Sequence, residues 1–582
     1  YLGGEIRLIG NDSILNLDGL ENINHIWGNL EIINNESLTD LTGIESVIHI
    51  DGNLTIRDNK LLASIESLEN VITIDSNLNI INNSKLQSLA GLENIVANSI
   101  HNLYIYSNDI LSECDVRSVC NYLTSPNGVV RIFDNNTNCN NPPEVANSCG
   151  NTMPCLPFGD YYFYSQNDID SFQSGYPDCL NLEGNVYISG NDITNFSGLD
   201  SISSVAKNFS IYRCDSLINL SGIQSLNTIG GWLQISYNDN MSFIDGFNEL
   251  LNIQNRFIIT NNESLFSISG FEKLIEVDHY FKIDENDSLH TITGFNNLSS
   301  VGDYFEVSKN PFLYDITGFN SLENVTKDFK IYYNHGLNKL TGFVNLSTIG
   351  GTAMINNNSS LSSFAGLNNL TSIGENLEIY GNHSLVSFEG FDNLSSINGY
   401  LEIENNDSLV SLEGVESLSS LNEYLKIYNN ETLVTLSGID NIEPESINEL
   451  IITNNPRLSW CAVKNICEYL VSPYGESTIS DNMVGCNREI EILWACAVST
   501  EENNLKEDFY IYPNPAHTEV ILVIEDNSTL KEISIYNQIG QQIFTNVGVT
   551  NKIDISNIPS GLYIIEVVTN ETKAREKLII NK

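Results

Sequence analysis

The fold of this chain is set by two consecutive segments, LEIYGNHSLVSFEGFDNLSSINGY (377–400) and LEIENNDSLVSLEGVESLSSLNEY (401–424). Each is 24 residues long, with apolar residues, an asparagine and a glycine in the same places. The block recurs almost always at this step, with starts at Ile6, Leu30, Leu54, Leu78 and Leu103, then at Val186, Phe209, Leu233, Phe257, Phe281, Phe305, Phe329, Ala353, Leu377, Leu401, Leu425 and Leu450. Because one inserted residue would break the register of every neighbour, this spacing predicts a stack of coils.

Each coil opens with an apolar, any, apolar triplet that predicts a short strand with alternate residues inward. The remaining segments are too short and too rich in Ser, Asn and Gly for regular helices, so short extended segments and turns are expected. A glycine thirteen residues after the start, as at Gly246 and Gly390, is expected to supply positive φ at a corner.

One polar column lies five residues after each block start. At this corner the backbone leaves the strand, and its N–H and C=O groups need partners inside the coil. An amide side chain satisfies both kinds, so the column predicts a structural ladder, with a cysteine in one coil. Its members are Asn11, Asn35, Asn59, Asn83, Asn108, Asn191, Cys214, Asn238, Asn262, Asn286, Asn310, Asn334, Asn358, Asn382, Asn406, Asn430 and Asn455.

With this L-x-I-x-x-N core, residues 1 to about 499 resemble leucine-rich-repeat proteins of the receptor L-domain type. The resemblance implies an all-β fold of two right-handed parallel β-solenoid arrays. It also implies that Cys214, a known substitute for the asparagine, is a buried thiol. In such families the strand face binds protein or glycan ligands, but the ligand does not transfer with the fold.

Two cysteine quartets follow the two arrays with identical spacings of 6, 19 and 10 residues. We interpret each as a disulfide-bonded C-terminal cap, in preference to a zinc site, and the pairing within each quartet stays open. Cys155 and Cys179 could close an N-terminal cap of the second array, with a helical turn near 168–173. The quartets are Cys114, Cys120, Cys139 and Cys149, and Cys461, Cys467, Cys486 and Cys496.

These signals divide the chain into segments. The first array with its cap covers 1–150, the N-terminal cap of the second array 151–185, the second array 186–499, a polar linker 500–508 and a C-terminal domain 509–582. The first array begins at a point that aligns with the second array after its N-terminal cap. We therefore expect the sequence to be a fragment that lacks a cap and a cleavable signal peptide.

Short alternating segments in 509–582 predict a small immunoglobulin-like β-sandwich. Four motifs, IYPNPA (511–516), ISIYNQIGQQI (533–543), IPSGLYIIEV (558–567) and EKLIINK (576–582), together resemble the type A sorting domain of type IX secretion. The resemblance implies export by that machinery in a Gram-negative bacterium, cleavage by a sortase, and anchoring on the outer-membrane surface or release. The alternative is an immunoglobulin-like binding module. The sorting-motif residues are Tyr512, Pro513, Asn514, Pro515, Gly561, Tyr563, Lys577 and Lys582.

A formal charge of −48 argues against nucleic-acid partners, and no apolar run is long enough for a transmembrane helix. No catalytic motif, metal-ligand pattern or cofactor fingerprint occurs, so no enzyme, metal or cofactor is expected. Charged residues one position after the starts, such as Glu402 and Lys426, are interpreted as cross-strand pairs.

Tyrosines three and four positions after the starts are expected to face outward. Three of them occur at alternate coils, about 9.6 Å apart at roughly 4.8 Å per coil, and could stack on a glycan. The candidate ligand face comprises Tyr332, Tyr380, Tyr428, Tyr212, Tyr237 and Tyr333. We expect a surface or secreted protein that binds a protein or glycan. The alternatives are a polysaccharide-degrading β-helix enzyme and a passive spacer.

Overall fold

The computed structural model describes residues 4–499, 509–524, 530–537, 541–546, 551–569 and 573–582. The predicted linker 500–508 lies outside these residues. The chain forms a parallel β-solenoid followed by antiparallel sheets. It divides into two compact units, residues 1–286 and 287–582, which are described in turn.

The first array builds a six-stranded parallel sheet with one strand from each coil. Its register is that of the repeat, since Ile6 lies opposite Leu30 and Leu30 opposite Leu54. The strands are Ile6–Ile9, Leu30–Ile33, Leu54–Arg57, Leu78–Ile81, Leu103–Asn108 and Val130–Asn135. A second face carries His25–Ile26, His49–Ile50 and Thr73–Ile74, with 3₁₀ turns at Glu66–Leu68 and Ala97–Ser99. The cap adds helices Arg117–Thr124 and Pro142–Ser148.

The second array begins with an N-terminal cap of two short helices, Gln166–Asp170 and Phe172–Gly175. Ser165 and Asp168 form a capping box on the first of them. Within residues 1–286 the main strands are Tyr161–Phe163, Val186–Ile188, Phe209–Tyr212, Leu233–Ser236, Phe257–Thr260 and Phe281–Asp284. The other faces carry Asn181–Leu182, Ser204–Val205, Thr228–Ile229, Phe243–Ile244, Asn252–Ile253, Ser267–Ile268 and Glu276–Val277, with a 3₁₀ turn at Ser197–Leu199.

The unit 287–582 repeats this coil, again with parallel pairs in the 24-residue register, as at Phe329 and Ala353. Its main strands are Phe305–Ser308, Phe329–Tyr332, Ala353–Asn356, Leu377–Tyr380, Leu401–Glu404, Tyr424–Tyr428, Glu449–Thr453 and Glu476–Ser480. The other faces carry Thr291–Ile292, Ser300–Val301, Asp315–Ile316, Asn324–Val325, Thr348–Ile349, Ser372–Ile373 and Ser396–Ile397. The 3₁₀ turns are Thr341–Phe343 and Pro444–Ser446, and the cap helices are Lys464–Val471 and Glu489–Ser499.

The interior of the coils consists of columns of equivalent apolar side chains. Phe257 and Phe281 stack with ring centroids 4.5 Å apart and planes 2° from parallel. Phe319 and Phe343 stack at 5.4 Å and 3°. Because each coil repeats the one before it, every interior residue packs on its own equivalent, which keeps the rotamers uniform and the core continuous.

The corner glycine was predicted correctly in some coils and wrongly in others. Gly390 has a φ of 113°, whereas Gly246 is not in the positive-φ region. The coil of Gly246 includes an additional short strand, Phe243–Ile244, two residues before the glycine. A glycine is needed there because a Cβ would lie 2.3 Å from the carbonyl oxygen of Leu220 in the preceding coil.

Five disulfides lie in the caps. The first and third cysteines of each quartet pair, as do the second and fourth, so the pairing that the sequence left open is the same in both arrays. The pairs are Cys114–Cys139, Cys120–Cys149, Cys155–Cys179, Cys461–Cys486 and Cys467–Cys496. Cys214 is a buried free thiol.

The C-terminal domain is made of two antiparallel sheets. One contains Phe509–Tyr512, Glu519–Ile524 and Lys552–Asp554, and the other contains Leu530–Tyr536, Gln542–Asn546, Gly561–Thr569 and Lys573–Ile580. Alternate residues of the strands, including Leu522, Ile535 and Ile565, are fully buried in a common core. This alternation is why the motifs read as strands in the sequence.

Candidate functional site

The asparagine column forms a hydrogen-bonded ladder at the corner of the coils. The Oδ1 atom of Asn59 accepts from the backbone N–H and the Nδ2 of Asn35, at 3.0 and 3.1 Å. Its own Nδ2 donates to the carbonyl oxygens of Ile32 and Arg57, at 2.9 and 3.0 Å. The backbone N–H and the Nδ2 of Asn59 also donate to Asn83 Oδ1, so this residue connects three successive coils. These residues therefore keep the corner intact rather than present a ligand site.

Most predicted ladder members lie in these chains of hydrogen bonds. These hydrogen bonds run through Asn11, Asn35, Asn59, Asn83 and Asn108, through Cys214, Asn238, Asn262 and Asn286, and through Asn310, Asn334, Asn358, Asn382, Asn406, Asn430 and Asn455. Two cap residues outside the repeat pattern, Asn135 and Asn482, extend the ladder at its ends. The 24-residue period does not reveal these two residues, because each lies 27 residues after the last asparagine of its array.

Asn191 was assigned to the ladder wrongly. The coil that begins at Val186 is one residue shorter than its neighbours, so Gly190 takes the corner position and Asn191 is exposed. The backbone N–H of Ile193 donates to the carbonyl oxygen of Gly190, as that of Leu38 does to Asn35. In the next coil the thiol of Cys214 donates to the carbonyl oxygen of Ile188, and burial raises its pKa to about 11.

The residue just before the ladder position has positive φ in nearly every coil, a feature that the sequence analysis missed. Asn or Asp, which tolerate this conformation, fill many of these positions, as at Asn34 and Asp58. Tyr237 and Tyr333 also adopt it, with φ of 57° and 56°. A bulky residue there is uncommon, and these rings are 42% and 44% exposed.

A second polar ladder, also missed, runs through the residue just before each block start, here called the leading column. The backbone N–H of Asn53 donates to Asn29 Oδ1 at 2.9 Å, and that of Asn77 to Asn53 Oδ1 at 3.1 Å. In the second array the same link joins Asn208 to Asn185 and Trp232 to Asn208. Side chains of the leading column and of the positions one and three after the start share the outer side of the strands, here called the strand face.

The predicted tyrosines are all half-buried or exposed. Tyr212, Tyr332, Tyr380 and Tyr428 lie on the strand face, whereas Tyr237 and Tyr333 lie at the corner that follows it. The hydroxyl of Tyr332 donates to Glu306 at 2.8 Å, and that of Tyr428 to Glu402 at 3.2 Å. Burial, with neighbouring carboxylates, raises the pKa of Tyr380 and of Tyr428. The hydroxyls of Tyr380 and Tyr428 therefore stay neutral at physiological pH.

A denser group, here called the tyrosine–glutamate patch, surrounds Tyr428. Tyr400 and Tyr424 of the leading column stack at 4.3 Å, with planes 9° apart. The hydroxyl of Tyr400 donates to Glu378 at 2.5 Å, and Lys426 pairs with Glu402 at 2.8 Å. The ammonium of Lys426 also lies 4.2 Å from the Tyr428 ring centroid. The patch consists of Glu378, Tyr400, Glu402, Tyr424, Lys426 and Tyr428.

A different aromatic group joins the two arrays. Phe133, in the last strand of the first array, stacks on Tyr106 and on Tyr162, each with centroids 4.7 Å apart. Arg131 beside it forms an ion pair with Asp160 at 3.0 Å. Strands Val130–Asn135 and Tyr161–Phe163 belong to separate sheets, so side chains rather than ladder hydrogen bonds connect them here.

Among the described residues, no group of three or more His, Cys, Asp or Glu side chains is arranged to hold a metal ion. The expected cross-strand charge pairing occurs between Lys426 and Glu402. Lys330 pairs instead with Asp328, within its own coil. A lysine side chain that turns back along its own strand can thus reach a carboxylate in the leading column instead of one on the neighbouring strand.

The sorting motifs meet at one edge of the C-terminal domain. Asn514 donates from Nδ2 to the carbonyl oxygen of Lys577 at 2.7 Å and accepts from the N–H of Ile579 at 2.8 Å. The hydroxyl of Tyr563 donates to the carbonyl oxygen of Pro559 at 2.9 Å, and the backbone N–H of Lys582 donates to Ser560 Oγ at 3.0 Å.

Of the remaining motif residues, Tyr512 is two-thirds exposed, at 66%. The bonds before Pro513 and Pro515 are cis, and Gly561 has a φ of 156°. The two hydrogen bonds of Asn514 join the motif IYPNPA to the terminal strand, which explains why these motifs occur together although they are distant in sequence.

The coils, their caps and this terminal domain define an exported solenoid protein. Residues 510–581 match a family model described as Secretion system C-terminal sorting domain. No curated protein matches the chain. The terminal domain is therefore a type IX sorting domain, and the protein is exported by that machinery to the outer-membrane surface or the medium. None of the described helices has the length and apolar character needed to cross a bilayer.

Proposed function

We propose that the exported protein is a non-catalytic binding protein whose strand face engages a glycan, in the manner of an adhesin. The proposal rests on the outward tyrosines at alternate coils, Tyr332, Tyr380 and Tyr428, each of which lies near hydrogen-bond acceptors. The sorting machinery's sortase is the expected partner during export, and it would leave the solenoid displayed or released.

The surroundings of these rings support recognition of sugars. Tyr380 and Tyr428 stack on no other aromatic ring among the described residues. Lys426 lies over one face of Tyr428, so the opposite face of that ring and the ring of Tyr380 are available to the C–H face of a sugar. By contrast, the rings at the array junction cover each other's faces. Carboxylates such as Glu378 and Glu402 can accept hydrogen bonds from sugar hydroxyls, and such charge-assisted bonds are among the stronger ones.

The test is a triple variant, Tyr332→Ala with Tyr380→Ala and Tyr428→Ala, compared with wild type on an array of glycans and proteins. We expect retention on the glycan that binds wild type to be lost. The matched control replaces three exposed aromatic residues off the strand face, Phe312, Tyr314 and Tyr474, by Ala. Unchanged binding by the first variant would contradict the proposal, and so would equal loss in both.

Catalysis is the competing class of function. Wild-type protein incubated with anionic polysaccharides and Ca²⁺ should release no unsaturated products, as followed by absorbance. Steady release of such products, abolished by Glu402→Gln, would replace the binding role with a lyase.

A further inference from the structure

The short polar residues of the leading column are interrupted at four successive coils of the second array, the last of them at Tyr304. Short polar residues fill it before that point, ending with Asn208, whose Oδ1 accepts from the backbone N–H of Trp232. The next residues of the column are Trp232, Arg256 and Tyr280. Their coils pair in register through Leu233, Phe257 and Phe281, so the three side chains lie side by side, about 4.8 Å apart at the backbone.

Two hydrogen-bond donors in this group have no partner. The indole Nε1 of Trp232 and the Nε of Arg256 are both buried and unbonded. Buried N–H groups in proteins are nearly always paired, so two orphaned donors on adjacent coils require an explanation. A ligand acceptor that enters between them would supply the missing bonds.

The charge of Arg256 is also unbalanced. Within the described part of the chain it pairs with no carboxylate, and its guanidinium lies 5.1 Å from the ring centroid of Tyr280. Other strand-face cations have acidic partners, as the ion pairs of Arg7, Arg131, Lys282, Lys330 and Lys426 illustrate. In a protein of charge −48, an unpaired arginine held over an aromatic ring is available to an external anion.

We propose that Trp232 and Arg256 form a subsite for a single carboxylate on an otherwise uncharged glycan, with Tyr280 as a positioning residue for the guanidinium. The carboxylate accepts from both orphaned donors, and the sugar ring packs on the indole. The overall negative charge repels a polyanion, which restricts the ligand to an isolated acidic sugar. The subsite is separate from the tyrosines at 332, 380 and 428 and does not depend on them.

The experiment uses full-length protein with methyl β-D-glucuronide and methyl β-D-glucoside, which differ only in the carboxylate, and isothermal titration calorimetry. We expect saturable binding of the glucuronide, at least about tenfold tighter than the glucoside, which corresponds to one charge-assisted interaction. Arg256→Gln should weaken glucuronide binding about tenfold, and Trp232→Phe, which keeps the ring and removes the N–H, should weaken it less. The matched control is Lys330→Gln, whose ammonium is already paired with Asp328.

Equal affinity for the two glycosides, no saturable binding, or an unaltered Arg256→Gln protein would overturn the proposal. N-acetylglutamate binding as tightly as the glucuronide would assign the subsite to acidic peptide and overturn its glycan identity. The triple tyrosine variant should bind the glucuronide with wild-type affinity. The experiment therefore distinguishes a wrong proposal for the tyrosines at 332, 380 and 428 from a wrong proposal for this subsite. Thermal unfolding of each variant identifies any that is misfolded.

Discussion

At the scale of single residues, one amide per coil maintains the corner. Asn382 accepts from the backbone and side-chain N–H groups of Asn358 and donates to the carbonyl oxygens of Ile355 and Tyr380. No apolar side chain can replace these bonds, and the groups left behind would be buried. The thiol of Cys214 keeps part of the pattern because it donates to the equivalent carbonyl.

We therefore expect Asn382→Ala to lower the free energy of unfolding by about 3 kcal/mol, since it leaves several buried groups unpaired. Asn382→Cys should cost less, because the thiol can still donate. Urea denaturation followed by far-UV circular dichroism measures both. The control is Asn338→Ala, an exposed asparagine two coils earlier, which should change stability by less than about 0.5 kcal/mol. A similar loss in the control would contradict the role assigned to the ladder.

At the scale of elements, the two arrays have the same coils and the same caps, and they differ in what the C-terminal cap contacts. Each array closes with the same helices and disulfides, but only the first cap meets a further coil within its unit. There the stack of Phe133 on Tyr162 takes the place of ladder hydrogen bonds, whereas Phe133 and Tyr106 lie on paired strands of the first array. The junction therefore depends on side-chain packing, which one substitution can weaken.

Phe133→Ala should loosen this junction, because it removes the ring contacts of Phe133 with Tyr162 and Tyr164 of the second array, worth about 0.5–1.5 kcal/mol each beyond the area they bury. We expect faster limited proteolysis between residues 150 and 160, with both arrays remaining folded. Mass spectrometry of the fragments locates the cut. Phe312→Ala, at a ring that is 61% exposed, is the control and should leave the cleavage rate unchanged. Equal rates for the Phe133 variant and wild type would show that the stack does not hold the arrays together.

At the scale of the whole molecule, display and transport are assigned to different parts of the chain. The coils carry the strand face, whereas residues 510–581 carry the export signal. In the terminal domain, Asn514 connects the first motif to the last strand, so the signal is a folded surface rather than a linear tag.

Deletion of 509–582 should leave the solenoid folded and retain it inside the cell envelope of its host, since the sorting domain is what the export machinery recognises. Cell fractionation with antibody detection measures this outcome. The full-length Tyr474→Ala protein, altered in an exposed cap residue, is the control and should reach the surface. Surface display of the deleted protein would contradict the assignment of export to this domain alone.

The sequence by itself determined the coil, its register, the buried columns and the asparagine corner. These features depend on contacts between equivalent residues of successive coils, and such contacts repeat with the sequence period. The same logic failed at Asn191, where one coil is a residue shorter and Gly190 takes the corner. It also missed Asn135 and Asn482, where the period lengthens.

Only the tertiary structure decided the contacts that the period does not encode. The disulfide pairing, the stack at Phe133, and the unpaired donors of Trp232 and Arg256 depend on which non-equivalent side chains meet. The interior columns at the strand starts hold apolar residues of several sizes, because each coil covers the next and excludes water. Outward side chains are not covered by the next coil, so only the three-dimensional structure shows which partners they contact. The candidate binding sites lie among these outward side chains.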